Sequence, residues 1–242
     1  MSQKRGEIER PRRFYKSVSV VQVVEGWGIA LDGRTPKTPG GVLLVAPSEA
    51  LAELVAGEWS AQQNHIEYAE MPATRMLHSA IDIVSRSRRE TVELLVRYAG
   101  SDLLCYLAEG PESLVRRQQS AWAPIMAWAR EELGLELIET KGIIHRAQPA
   151  ESLAIVERIA TEADDFSLTG LAFGVPLLGS TVLALALRMG RIDAVEAHAA
   201  SRVEESFQED RWGVDEEAAG RSALILKDAI MLERWFAALR VD

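Results

Sequence analysis

Cysteine is nearly absent: Cys105 is the only one in 242 residues. That excludes a disulfide framework within the chain and a metal site built from several thiolates, and it fits a reducing compartment. Cys105 sits in DLLCYLA, an apolar setting that favours an inert buried thiol over a nucleophile. Histidine is sparse too. His65, His78, His145 and His198 are scattered, without the H-x-x-x-H or H-E-x-x-H spacing of a zinc site. Excess basic charge is also missing. With 27 Lys+Arg against 36 Asp+Glu the net charge is −9. This disfavours a general nucleic-acid binder while leaving room for a local basic patch. Neither G-x-x-x-x-G-K-[ST] nor G-x-G-x-x-G occurs, and there is no G-x-S-x-G elbow.

One uncharged run, Phe166 to Leu187, is long enough to cross a membrane. Gly170, Gly174, Pro176 and Gly179 interrupt it, and no aromatic or basic anchors frame both ends. It reads as two buried helices breaking near Gly174-Val175-Pro176. The opening MSQKRGEIERPRRFYK is basic but holds Glu7 and Glu9 and lacks an apolar core, so it does not read as a targeting segment. The expected setting is a bacterial cytoplasm, with residues 1–11 as a flexible arm.

What the chain does have points to an α+β fold. SVSVVQVV is β-branched and partly alternating, which predicts a strand. GWGIALDGRTPKT predicts a hairpin with Asp32-Gly33 as its tight turn, and Gly40-Gly41 turns the chain into VLLVA. The loop GRTPKTPGG carries Arg34 and Lys37, but strand follows it rather than a helix N-terminus. It therefore reads as a hairpin loop and not a phosphate cradle. Ser48 is placed to cap a helix with Leu51, Leu54, Val55 and Trp59 on one face. HIEYAEMP reads as extended, with Glu67 and Glu70 keeping an edge soluble. Beyond it the chain is mostly helical, and LELIET is a candidate short strand. One expected helix contains Pro124 as a kink or restart. Asp102 reads as a cap or a buried acid. Helices over 192–211 and 215–239 close the chain. The expected organisation is an N-terminal α+β domain over 1–70 and a larger helical domain over 71–242.

The stretch VEESFQEDRWGVDEEA, Val203 to Ala218, carries seven carboxylates: Glu204, Glu205, Glu209, Asp210, Asp215, Glu216 and Glu217. On a helix, Glu204, Gln208 and Trp212 share a stripe beside an apolar one of Val203 and Phe207. Acids together with a Trp are a common docking-surface composition. Two other readings stand beside it: Trp212 in the core with the acids merely solvated, and a carboxylate cluster holding a divalent metal for hydrolysis.

Five stretches in order give the chain a resemblance. They are RFYKSV, IALDGRTPKTP, LAELVAGEWSAQ with Glu58, Trp59 and Gln62, MPATRMLHSAID, and EESFQEDRWGVDEEA. The last matches an E-E-x-[FY]-Q-x-x-x-W-G-x-x-E pattern at Glu204, Glu205, Phe207, Gln208, Trp212, Gly213 and Glu216. These resemble the assembly-chaperone family of the F-type ATP synthase, the kind that holds the unassembled α subunit. The resemblance implies a non-catalytic chaperone without cofactor or metal. Its partner would be the ATP synthase α subunit, released when the β subunit arrives. It implies partner-binding roles for Glu204, Glu205, Phe207, Gln208, Trp212, Glu216 and Trp59. The alternative carried beside it is a metal-assisted hydrolase using the C-terminal carboxylates.

Overall fold

The computed structural model describes residues 11–240, so all of the expected flexible arm except Pro11 lies outside the described residues. The architecture is α+β, in two compact units. One ends at Asp82 and the other runs Ile83–Arg240.

The first unit holds an antiparallel sheet of β1 (Val18–Val23), β2 (Gly26–Leu31) and β3 (Val45–Ala46), in that order. Asp32 and Gly33 both take positive φ, 49° and 80°. That is the geometry of a two-residue primed turn, and it returns the chain into a bridge between Leu31 and Arg34. The long pairing of β2 is on its other side, with β1, through a turn at Val24 and Glu25. Of VLLVA only the last two residues form regular strand. Ser48 caps α1 (Glu49–Ala61), accepting from the Leu51 amide at 3.2 Å. Leu51, Val55 and Trp59 are buried, and α1 packs on β1 and β2.

Tyr68–Glu70 forms a short 3-10 turn rather than the expected extended edge. Helix α2 (Pro72–Asp82) follows, beyond the expected boundary at residue 70. Two carboxylates bind α2 into the first unit. Glu58 accepts from the Ala73 and Thr74 amides and the Thr74 hydroxyl, each at 2.7 Å. At the other end Asp82 accepts from the Thr38 hydroxyl at 2.7 Å and the Gly40 amide at 2.8 Å. An acid thus occupies the inner side of the Thr38–Gly40 turn, which supports the hairpin-loop reading over a phosphate cradle.

The second unit is helical: α3 (Arg88–Ala99), α4 (Glu112–Leu133), α5 (Ala150–Glu162), α6 (Asp165–Leu178), α7 (Thr181–Arg188), α8 (Ala194–Ser201), α9 (Val203–Trp212) and α10 (Glu216–Leu239). A two-residue parallel pair, β4 (Tyr106–Leu107) with β5 (Thr140–Lys141), is all the strand that LELIET contributes. Helix α4 continues through Pro124, so the chain does not restart there.

The uncharged run does make two helices, but the break lies at Gly179-Ser180, not at Gly174-Val175-Pro176. Gly179 takes φ 67°, the left-handed geometry of a helix stop, and Ser180 caps α7 by accepting from the Leu183 amide. Gly170 and Gly174 serve packing instead. A Cβ would stand 2.5 Å from the Phe236 ring at Gly170 and 2.7 Å from Leu232 at Gly174. These bare positions let α10 lie directly against α6. Every residue of α7 from Thr181 to Leu187 is buried. So short a helix is marginal alone and owes its stability to the surrounding helices. Among the described residues no helix is long and apolar enough to cross a membrane.

Asp102 is both a cap and a buried acid. It accepts from the Leu104 amide and, across the fold, from the Val182 amide, both at 3.1 Å. Burial pushes its carboxyl up to about 6. The same apolar surroundings push the Cys105 thiol up to about 12, which supports the inert reading.

Candidate functional site

The expected helix over 192–211 divides at Arg202 into α8 and α9. Helix α9 is anchored from below and bare above. Val203 is buried, and Phe207 is half-buried with the Arg211 guanidinium 5.2 Å from its ring centre. Arg117 of α4 reaches α9 twice, with Asp210 at 2.5 Å and the Ser206 hydroxyl at 2.8 Å. Arg202 pairs with Glu209 at 2.9 Å where both are largely shielded. Glu204 turns inward, accepting from the side-chain amide of buried Gln118 at 2.7 Å.

The remaining candidates face out. Glu205, Gln208, Trp212 and Glu216 are exposed, Trp212 at 76%. Glu205, Gln208 and Trp212 line one depression of about 380 Å³ together with Arg202, Asp215 and Arg221. The core reading of Trp212 is therefore overturned. Beyond it Asp215 caps α10 through the Ala218 amide at 3.1 Å. The first half of α10 stays largely exposed, as do Val214 and Leu224. An apolar ring with neighbouring aliphatic side chains, rimmed by carboxylates, is what a transient protein interface requires.

A larger cleft of about 660 Å³ lies behind α9, with Ile125, Val203, His198 and Arg191 in its lining. Burial lowers the His198 pKa, and its Nε2 lies 3.1 Å from the Ser222 carbonyl.

Trp59 stands apart from this group. It belongs to the first unit and is 3% exposed, in edge-to-face contact with Tyr15 at 5.6 Å. The partner-binding role that the resemblance implies for Trp59 thus falls on a side chain in the core of the first unit. The hydrolase alternative gains no support. Among the described residues no three His, Cys, Asp or Glu side chains are grouped to hold a metal. Sequence reading missed Arg117, Gln118 and Arg202, which fix α9. Nothing local marks the first two, because they contact α9 from 86 to 93 residues away.

A family model described as ATP12 chaperone protein matches residues 12–130, which ends before α9. The mitochondrial protein atp12 of Schizosaccharomyces pombe is 28% identical over 222 residues, covering 86% of this chain and 75% of that protein. The crystal structure of Atp12 from Paracoccus denitrificans is similar with a TM-score of 0.90 and 42% identity, over 95% of this chain and 99% of that one. The Agrobacterium tumefaciens protein Atu1473 has a TM-score of 0.90 and 39% identity, over 95% of this chain and 87% of that one. Both structural likenesses extend past the end of the family match.

Proposed function

The chain belongs to the ATP12 chaperone family, non-catalytic helpers of ATP synthase assembly, and we propose that it holds the unassembled α subunit and masks its subunit interface until the β subunit replaces it. The observation that carries the reading is the exposed Trp212 on an acid-rimmed face of α9 and α10. A free α subunit presents an apolar face meant for β and is prone to aggregate through it. A moderately apolar cover with a charged rim shields that face without binding irreversibly. Release needs no nucleotide, because a better-fitting partner displaces a weaker one by mass action. Glu205, Gln208 and Glu216 would orient the encounter and speed it. With bacterial relatives among the solved structures, the place proposed for this work is the cytoplasm.

The test is to co-express the α subunit of the same organism with this chain, without β. Soluble α that co-purifies, and that added β removes, is the expected result. An α subunit equally soluble alone and forming no complex would sink the reading.

A further inference from the structure

The indole N–H of Trp59 is buried without a hydrogen-bond partner, the only such side-chain atom among the described residues. Leaving a buried donor unpaired costs about 1–3 kcal/mol. Such exceptions in native interiors call for an explanation. Trp59 lines a cleft of about 480 Å³ within the first unit, and Pro36, Pro39, Tyr68, Lys37 and Arg75 line it too. The Trp59 and Tyr68 rings stand edge-to-face at 6.2 Å.

The charge of this cleft runs against that of the chain. Net charge is −9 overall, yet the lining holds two cations and no carboxylate. Lys37 and Arg75 are exposed, and neither makes a side-chain hydrogen bond or ion pair among the described residues. Arg75 feels Glu58 only through space. Of the nearby acids, Glu58 caps α2 and Asp82 binds the Thr38–Gly40 turn. His78 also lines the cleft, and burial lowers its pKa, which favours the neutral ring.

Aromatic-lined grooves are a kind of surface on which extended chains dock. Cations at such a surface select carboxylates. We propose that this cleft takes an extended, carboxylate-bearing segment of the client subunit. Lys37 and Arg75 meet the carboxylate, and the exposed Tyr68 ring, in edge-to-face contact with Trp59, packs on the segment's apolar residues. The inference rests on the chaperone reading above and adds a second contact surface, in the other unit.

The experiment uses the full chain labelled with nitrogen-15 and overlapping 15-residue peptides spanning the α subunit. The indole resonance missing from Trp59→Phe identifies Trp59. An acidic peptide should move that resonance and bind the Lys37→Glu, Arg75→Glu double variant about tenfold or more weakly. Retention of whole α by the double variant should fall in parallel. The inference is overturned if wild type and double variant retain α equally while no peptide moves the Trp59 signal. It is also overturned if peptides bind both proteins alike, or if inorganic phosphate alone moves the signal and no peptide does. A wild-type chain that retains no α at all removes the chaperone reading, and this inference with it.

Discussion

The side-chain amide of Gln118 donates a 2.7 Å hydrogen bond to the Glu204 carboxylate, joining α4 to α9 across 86 residues. Gln118 is fully buried, and its own oxygen accepts from the Ala108 amide at 2.7 Å. Glu204 is thus a strut, whereas its neighbour Glu205 faces solvent. Glu204→Ala leaves a buried amide without its acceptor and should cost about 1–3 kcal/mol. Glu204→Gln keeps an acceptor oxygen and should cost less. Glu205→Gln should stay within about 0.5 kcal/mol of the parent. Urea midpoints of the three variants decide. Equal destabilisation by Glu204→Ala and Glu205→Gln would remove the strut.

Trp212 separates docking from folding. At 76% exposure it contributes little to the core, so Trp212→Ala should leave the melting temperature nearly unchanged. As an anchor of the client face, its loss should weaken binding of α about thirtyfold, near 2 kcal/mol. Titration calorimetry against the α subunit measures this. Unchanged affinity would take Trp212 off the interface.

Glu58 should behave as a structural carboxylate. It satisfies two amides and a hydroxyl at the start of α2, each at 2.7 Å. Glu58→Ala leaves those donors without that acceptor, for a loss on the order of 3 kcal/mol. Hydrogen exchange should show the first turn of α2 opening before α1. Uniform exchange across both helices would contradict this cap.

Asp102 makes stability depend on pH. Its carboxyl is raised to about 6, from the ordinary 3.8, chiefly by burial. A raised acid favours the folded state at low pH, and that contribution is lost as pH climbs through about 6. Between pH 4 and pH 7 the loss is on the order of 3 kcal/mol. Asp102→Asn does not titrate, so the stability difference between parent and variant should shift by that amount over this range. Chemical denaturation at several pH values reads it directly. A pH-independent difference would contradict the assignment.

Gly170 should resist enlargement. Its missing Cβ leaves room for Phe236, whose ring would otherwise stand 2.5 Å away. Gly170→Ala should cost about 1–3 kcal/mol by overpacking. Phe236→Leu in the same chain should recover part of that loss. Additive costs in the double variant would argue against direct contact.

Local chemistry made much of the fold legible. The Asp32-Gly33 turn, the Ser48 cap, the β-branched run of β1 and the long apolar stripe of α10 each depend on neighbours within a turn or a strand pair. The break in the uncharged run was misplaced for the opposite reason. Gly174 and Pro176 resemble breakers in isolation, but Gly174 is required by Leu232, 58 positions along the chain. The candidate site was legible as a composition, acids with a Trp, and opaque as a geometry.

The sequence by itself determined the α+β character, the single buried thiol's apolar setting, and the family. These follow from residue types and short spacings, whose physics is complete within a few residues. The tertiary structure alone decided that Glu204 turns inward while Glu205 turns out, that Trp212 is bare, and that the Trp59 N–H is unpaired. Each depends on which distant atoms fill the space around one side chain, and burial of that kind is a property of the packed fold, not of the local sequence.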